Sequence, residues 1–249
     1  MLGSDPVFKK VYEALERHDS RVTIVSTKSM DALSATCAVA AANATCAIYI
    51  NGFEYQRALN VPHCIPQYAY VLSPSQQYIA ECRKKRTEII GRYKALNTYD
   101  TVLAIHDELT RIVRYQEDGK LSHSIAGPLL FGRGVCDGFS KTLKFILDEL
   151  SIPSFVVNGT ATDPQTGINE GHAWNIVKIG GTYYHLDATF DNTLGKHSAA
   201  GQEIRYDYFN LDDKKIFRDH EPLIAPAPVC TNGDHFYYRE KKLSFTKEE

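Results

Sequence analysis

The stretch HAWNIVKIGGTYYHLDAT, residues 172–189, predicts two β-strands joined by a tight turn. Two strand-like runs flank Gly180 and Gly181, and a glycine pair between such runs is typical of a two-residue hairpin. That turn fixes the register, because Ile179 then lies opposite Thr182. We therefore expect antiparallel pairing along this stretch.

The predicted register brings a histidine next to a carboxylate. Trp174 faces Asp187 and His172 faces Thr189, so His172 and Asp187 become diagonal neighbours on one face of the sheet. The opposite face is apolar, and we expect it to be buried. We expect the face with the polar pair to meet the helix that carries Cys136.

The stretch FGRGVCDGFS, residues 131–140, places Cys136 between glycines where a helix begins. The unpaired N–H groups and partial positive charge of a helix N-terminus favour a thiolate and can hold an oxyanion. Gly134 and Gly138 are expected to leave room for a substrate backbone. The alternative is a small residue packed at a helix–sheet junction, and this stretch alone favours neither interpretation.

A cysteine nucleophile needs a base, and the base needs an orienting group. His172 and Asp187 supply these two residue types, so Cys136, His172 and Asp187 form the candidate catalytic set. Trp174 is expected either to shield the mouth of the site or to cover the hydrogen bond of the pair. His123 and Asp137 are further candidates for lining the site.

For four other polar residues near these motifs, the sequence favours a structural role over a catalytic one. His106 falls within a helical pattern, where a satisfied structural histidine is expected. His185 shares the face of the polar pair and is expected to be structural or to face substrate. Asp191 and Asn192 follow the second strand and predict a turn.

The histidines and cysteines show no spacing typical of a metal site. His172 and His185 could suggest one, but no cysteine or carboxylate cluster accompanies them, so no metal and no cofactor are expected. None of the six cysteines forms a CxxC pair. A disulfide framework stays open, as does the oligomeric state. The cysteines are Cys37, Cys46, Cys64, Cys82, Cys136 and Cys230.

Composition narrows the classes of partner. The 249 residues are 43% hydrophobic and 23% charged, with a formal net charge of −2, which predicts a packed core and no nucleic-acid partner. The basic run RKKR at residues 83–86 lies in a helical pattern and predicts a solvated helix face. No apolar run reaches about 18 residues, so no membrane span is expected. The compartment stays open between cytoplasm, cell envelope and secretion.

The order of predicted elements indicates an α+β fold. Helical patterns dominate the first half of the chain, and strand-like runs dominate the second. We expect a mostly helical N-terminal extension, residues 1–97, packed on a catalytic core, residues 98–249. Helices are predicted over residues 5–18, 29–42, 100–115 and from Cys136, with another beginning at Ser73–Pro74. Strands are predicted over residues 21–26, 46–50, 154–161, 205–211 and 235–245.

The wording around the candidate residues resembles the transglutaminase-like superfamily of cysteine enzymes, especially its bacterial members. The motifs G-V-C-x-G, H-A-W-N and Y-H-L-D-A-T occur in the family's order, and the resemblance covers about Tyr99 to Asn192. It implies a papain-like core, with the cysteine helix packed on an antiparallel sheet. It also implies that Cys136 is the nucleophile, His172 the general base and acid, and Asp187 the orienting carboxylate. The backbone N–H of Cys136 is the expected oxyanion donor.

The resemblance implies acyl transfer through a thioester, with a protein or peptide as substrate. Hydrolysis of a peptide or amide bond is favoured, because the chain lacks the flanking β-domains and the acidic calcium loop of animal transglutaminases. Transfer of the acyl group to an amine is one alternative. A non-catalytic module that binds peptides or proteins on the same fold is the other.

Overall fold

The computed structural model contains mixed helices and sheets, and the α+β prediction is confirmed. It describes residues 5–17, 19, 21–24, 26, 28–44, 50–57, 66–72, 78–117, 119, 121–194, 204–224 and 228–236. Its helices are α1 (Pro6–Glu16), α2 (Met30–Asn43), α3 (Ile79–Tyr93), α4 (Thr98–Ile112), α5 (Cys136–Glu149), α6 (Ala188–Thr193) and α7 (Asp213–Ile216). A π-helical turn spans Gly127–Phe131. No helix in these ranges is both long and apolar enough to cross a bilayer.

The strands form three sheets. They are β1 (Arg21–Thr23), β2 (Ile50–Arg57), β3 (Pro66–Leu72), β4 (Arg114–Tyr115), β5 (Arg133–Gly134), β6 (Ser154–Thr162), β7 (Asn169–Ile179), β8 (Thr182–Leu186), β9 (Phe209–Leu211) and β10 (His220–Pro222). A three-stranded sheet has the order β1-β3-β2, and a five-stranded sheet has the order β10-β6-β7-β8-β9. Every pairing in the five-stranded sheet is antiparallel. Strands β4 and β5 pair in parallel.

Short polar side chains begin the N-terminal helices where the sequence predicts. Oδ1 of Asp5 accepts hydrogen bonds from the first turn of α1, and Oγ of Ser29 accepts one from α2. Asn97 caps α4 in the same way. The predicted start at Ser73–Pro74 lies outside the described residues, as do most of the strand at 46–50 and residues 237–249.

The hairpin register is confirmed as far as β8 extends. Ile179 pairs with Thr182, and the pairing continues to Asn175 opposite Leu186. The chain then leaves the sheet, because Asp187 occupies the N-cap position of α6. The predicted pairing of residue 187 within the sheet is therefore wrong, although its side chain still reaches the expected neighbour.

Helix α5 packs on the apolar face of this sheet. The prediction that the polar face meets the cysteine helix is therefore wrong for the body of α5, although His172 still reaches Cys136 at the first residue of the helix. Nδ2 of Asn175 donates to the carbonyl of Ser140 at 3.0 Å, and Oγ of Ser140 donates to the carbonyl of Ala173 at 2.9 Å. The physical reason is that the apolar stripe of α5 gains most by covering the apolar strand residues. The two sets share one core, which includes Phe139, Leu143, Ile146, Leu147, Val177, Ile179, Tyr184 and Leu186.

The opposite face of the sheet is covered by the C-terminal part of the chain. Trp174 and Ile176 pack with Cys230, and Tyr208 and Leu211 contribute to a neighbouring apolar cluster. The side chains of the polar pair therefore lie between the sheet and residues that follow α6. This second layer has no counterpart in the predicted architecture.

The N-terminal helices join the same core as the helix that begins at Cys136. Val11 of α1 and Leu33 of α2 are buried in the cluster that contains Leu109 and Leu143. The Asn43 side chain also makes two hydrogen bonds with the backbone of Val156, at 2.8 and 2.9 Å, which tie the end of α2 to β6. The N-terminal region is helical, as predicted, and contains one small sheet. The division between residues 97 and 98 stays a prediction.

Candidate active site

Asp187 is the residue around which the site is built. As the N-cap of α6, it uses Oδ1 to accept hydrogen bonds from the backbone N–H groups of Thr189 and Phe190, at 2.9 and 3.1 Å. Its Oδ2 accepts a hydrogen bond from Nε2 of His172 at 2.7 Å. The end of a strand and the start of a helix thus orient one buried carboxylate, and the predicted contact between His172 and Asp187 is present.

The electrostatics of this pair stabilise its ionised form. Burial disfavours an imidazolium, but the Asp187 carboxylate and the neighbouring Cys136 thiol outweigh burial and raise the pKa of His172 to about 10. Burial also opposes ionisation of Asp187, yet two histidines, His172 and His220, hold the pKa of its carboxyl below the ordinary range. Because Nε2 of His172 is committed to Asp187, Nδ1 is the ring nitrogen left to exchange a proton with the thiol.

Cys136 is the first residue of α5, as predicted. The residue before it, Val135, has an extended backbone and no side chain that could cap the helix. The N–H groups of the first helical turn have no acceptor within the helix. They can therefore stabilise a negatively charged oxygen that forms beside the cysteine sulfur.

The two predicted glycines accommodate the protein rather than a substrate. A Cβ at Gly138 would collide with the carbonyl oxygen of Ser122, and one at Gly134 would lie 2.9 Å from Cγ of Pro128. The same Ser122 carbonyl accepts a hydrogen bond from the Val135 N–H at 3.1 Å. The glycines thus let the loop before β5 pack against the start of α5, and the expected space for a substrate backbone is filled.

His123 and Asp137 form a charged cluster next to Cys136. Nδ1 of His123 lies 2.9 Å from Oδ1 of Asp137, and Nζ of Lys141 lies 3.0 Å from Oδ2. Burial would raise the pKa of the Asp137 carboxyl, but Lys141 and His123 lower it. Nε2 of His123 also pairs with Glu117 at 3.0 Å. The two predicted residues are therefore brought together, and their charges are matched by protein groups.

Trp174 covers the polar pair from the inside. Its side chain is fully buried, and its ring lies nearly parallel to that of His172, with an interplanar angle of 17°. Its indole N–H donates to Nδ1 of His185 at 3.0 Å, and Nε2 of His185 lies 2.8 Å from Asp213. Of the two expected roles for Trp174, the structure supports cover of the pair. His185 is structural.

Two further residues lie at the site without being predicted from the sequence. His220, on β10, places Nε2 3.1 Å from Oδ2 of Asp187. Tyr115, on β4, is partly exposed; burial and then the charges of Cys136 and Glu170 raise the pKa of its phenol to about 12. The three-residue edge strand of His220 carries no periodic pattern. The sequence predicts Tyr115 as the last residue of the helix over 100–115, which is wrong at its end, because α4 stops at Ile112 and Arg114 and Tyr115 pair with β5.

A second buried histidine–carboxylate pair anchors α6. Nε2 of His106 lies 3.1 Å from Oδ2 of Asp191, and Nδ2 of Asn192 donates to the carbonyls of Thr110 and Val113 at the end of α4. Asp191 and Asn192 are therefore helical, and the prediction of a turn is wrong. The reason is that α4 supplies partners from a distant part of the chain. His106 is structural, as expected.

Two groups of side chains in the described part of the chain bring possible metal-ligating atoms within 4.8 Å of one another. In the group of His185, Asp213 and Cys230, the Trp174 N–H points at Nδ1 of His185, so Nε2 carries the proton and has no free lone pair. In the group of His172, Asp187 and His220, direct hydrogen bonds already join the atoms. Both arrangements are those of hydrogen-bonded networks.

Four described cysteines are free thiols, and three of them are buried. They are Cys37, Cys82 and Cys230, whereas Cys136 is partly accessible. Cys46 and Cys64 lie outside the described residues. Desolvation, with help from a nearby carboxylate, raises the pKa of Cys37 and Cys82 to about 12. The accessible thiol is thus the one next to a histidine.

Comparison with known proteins gives one family match. No curated protein sequence matches the chain significantly. A crystal structure of a TGase is 16% identical and covers 73% of this chain and 53% of its own, with a TM-score of 0.41. A candidate cysteine protease from Cytophaga hutchinsonii is 20% identical and covers 55% of this chain and 62% of its own, with a TM-score of 0.38. The chain thus spans between half and two thirds of each of these structures.

The periplasmic domain of TgpA from Pseudomonas aeruginosa is 14% identical and covers 55% of this chain and 65% of its own, with a TM-score of 0.35. Residues 87–188 match the sequence pattern of the transglutaminase-like superfamily. That stretch begins in α3 and contains Cys136, His172 and Asp187. This match and the motifs within it make residues 87–188 similar to the transglutaminase-like superfamily.

Proposed function

We propose that the protein is a cysteine-nucleophile acyl-transfer enzyme that hydrolyses peptide or amide bonds. One observation carries the proposal. His172 is held through Nε2 by the buried Asp187 at 2.7 Å, while Cys136, at the N-terminus of α5, lies close enough to its imidazole to raise its pKa. A nucleophile, a base and an orienting carboxylate in this order form the arrangement that covalent acyl transfer requires.

The proposed first half-reaction releases an amine. His172 takes the thiol proton from Cys136, and the thiolate attacks the carbonyl carbon of the scissile amide. The backbone N–H groups at the start of α5 hold the resulting oxyanion. His172 then gives its proton to the departing nitrogen, the C–N bond breaks, and the acyl group remains on the sulfur as a thioester.

The second half-reaction regenerates the thiol. His172 removes a proton from a water molecule, which attacks the thioester carbonyl, and the C–S bond breaks. The sulfur leaves and regains a proton from the imidazolium. Asp187 takes no proton in this scheme; it keeps Nε2 of His172 protonated and stabilises the positive ring in both halves.

Water is the acceptor that requires no further binding site, which supports hydrolysis as the principal activity. An amine that attacked the same thioester would give an amide, which is the transglutaminase reaction. A protein or peptide is the proposed substrate class, because its amide carbonyl is the group that this chemistry attacks. The acceptor and the substrate sequence are both to be read from product analysis.

The test is alkylation of the protein by iodoacetamide as a function of pH, with the modified cysteines mapped by mass spectrometry. We expect Cys136 to react fastest and His172→Ala to slow that reaction. Cys37, Cys82 and Cys230 are internal controls, since burial raises the pKa of each thiol. Peptide libraries with and without amine acceptors then identify the product. If Cys136 reacted no faster than the buried cysteines, a non-catalytic binding module would be the better description.

A further inference from the structure

The carboxylate of the candidate triad has a second histidine, which the proposed mechanism does not use. Oδ2 of Asp187 accepts from Nε2 of His172 at 2.7 Å and lies 3.1 Å from Nε2 of His220. His220 comes from β10, which pairs with β6 at the edge of the sheet. Its side chain is completely buried, so this contact is made without solvent.

Both ring nitrogens of His220 face carboxylates. Nδ1 lies 2.6 Å from Oδ1 of Asp219, whose other oxygen accepts a hydrogen bond from the Tyr208 hydroxyl at 2.7 Å. A neutral imidazole has one N–H donor, whereas an imidazolium has two, so only the charged ring satisfies both contacts. Burial opposes that charge, but Asp187 and Asp219 outweigh it and raise the pKa of His220. The ring is therefore a cation held between two anions.

Aromatic rings fix the orientation of this cation. The Trp174 ring packs edge-on against it with centroids 4.9 Å apart, and Phe190 does so at the same separation. The rings of His172 and His220 are themselves 5.4 Å apart and nearly perpendicular. These contacts restrict how the His220 ring can turn relative to Asp187.

Resting on the proposed function, we propose that His220 is a positioning residue for the triad. It shares Oδ2 of Asp187 with His172 and so holds the carboxylate in the plane that faces the catalytic ring. Its positive charge also moderates the pull of Asp187 on the proton of His172. His172 must give its proton to the leaving amine. If Asp187 stabilised the His172 imidazolium too strongly, the ring would transfer that proton to the amine poorly.

The groups that face His220 define how the idea can be tested by titration. They are His172 on β7, Asp187 at the start of α6, Asp219 and Tyr208 on the C-terminal segment, and His185. Burial is the main cause that lowers the pKa of His185, and the charge of His220 lowers it further. His220→Gln keeps an N–H donor near Asp187 but removes the charge. His220→Leu removes both. The matched control is His106→Gln, which removes a buried histidine from a separate carboxylate pair.

The first readout needs no substrate. In protein that carries Cys136→Ala, the His172 ring is followed by NMR as pH is raised, and its signal is assigned with His172→Gln. We expect His172 to titrate at a higher pH when His220→Gln is added, because a neighbouring positive charge is gone. His106→Gln should leave the titration where it was. A residue that only fills space beside His172 would not move the titration.

The second readout is acylation of Cys136 by p-nitrophenyl acetate in the otherwise unchanged protein. We expect His220→Leu to slow acylation by about tenfold or more, because the carboxylate that orients His172 loses a partner and outer partners of metal ligands contribute effects of this size. We expect His220→Gln to recover most of the rate. An unchanged His172 titration in folded His220→Gln overturns the proposal, even if His220→Leu does not fold. Failure of the wild-type protein to react at Cys136 would instead count against the proposed function, and the NMR result would still stand.

Discussion

Two buried histidine–carboxylate pairs hold the short helix α6. They differ in whether the second ring nitrogen of the histidine also contacts a carboxylate. At the start of the helix, Asp187 binds Nε2 of His172, and the side chain of His172 retains 7% of its exposure. Further along, Asp191 binds Nε2 of His106, while Asp107 binds Nδ1 at 3.2 Å, and that ring is completely buried. His172 therefore has one ring nitrogen that is not bound to a carboxylate, whereas both ring nitrogens of His106 face carboxylates.

A perturbed pKa therefore does not by itself identify a candidate catalytic histidine. Burial opposes protonation of both rings, and carboxylates raise the pKa of both, to about 10 for His172 and to about 9 for His106. What distinguishes them is the neighbour of the second nitrogen. Beside His172 it is a thiol at a helix N-terminus, and beside His106 it is another carboxylate.

The largest expected effect comes from removing the thiol that only one pair has. Cys136→Ala should lower turnover by on the order of 10⁴-fold or more, as loss of a nucleophile does in related triads. The free energy of unfolding should change little, because Cys136 is not fully buried. Alkylation, turnover and denaturant titrations measure these. Equal activity in the variant and the wild type would sink the proposed mechanism.

Substituting the histidine of each pair should affect activity in one case and stability in the other. His172→Ala should cut turnover by about 10³-fold or more in a folded protein. His106→Gln should instead cost about 3–5 kcal/mol of stability, because Asp191 loses its buried partner. The stabilisation by His106 is complete below its ordinary pKa of 6.5 and is lost as pH rises through about 9.

Urea unfolding of wild type and His106→Gln at pH 6 and pH 10 checks that sign. We expect the difference between the two proteins to be smaller at pH 10. A gap that widened with pH would show that the charged form of His106 is not what stabilises the fold.

Exchanging the carboxylates gives a smaller change in rate. Asp187→Asn should lower turnover less than His172→Ala does, and it should lower the pKa of His172, so the alkaline fall of turnover moves to lower pH. Asp191→Asn should leave the position of that fall unchanged. Rate–pH profiles of both variants test this, and identical profiles would mean that Asp187 does not set the charge of His172.

The smallest expected effect concerns the packing of the Ser122 loop against the first turn of α5, next to Cys136. Among the described residues, the pair of His106 and Asp191 has no such cysteine beside it. Gly138→Ala should cost about 1–3 kcal/mol, because its Cβ meets the Ser122 carbonyl. Gly91→Ala in α3, where a Cβ meets nothing, should stabilise by up to about 1 kcal/mol. Thermal unfolding of both variants compares them, and a neutral Gly138→Ala would show that the loop yields easily.

Short-range sequence patterns predict two parts of this site. One is set by the hairpin turn and the other by the start of a helix. The turn at Gly180–Gly181 fixes the register, and the register brings His172 to Asp187. The motif around Cys136 places it at the first position of α5. Each of these depends on residues that are close in sequence, where turn and capping preferences are strong.

The remaining features depend on contacts between distant segments. Asp187 to His220 and His106 to Asp191 span 33 and 85 residues, and no periodicity connects them. The position of the polar pair does not predict which face of the sheet α5 covers, because burial of apolar area decides it. The space beside Gly138 cannot be predicted from the sequence, because the Ser122 loop that fills it is irregular.

The double use of Asp187 has a consequence for how the protein is made. Its Oδ1 caps α6 and its Oδ2 binds His172, so the carboxylate is oriented only after that helix has formed. Cys136 leaves the ribosome well before residues 187 and 220. A nascent chain therefore carries the candidate nucleophile without an assembled base, and the proposed catalytic group is complete only once β10, the last strand among the described residues, has paired with β6.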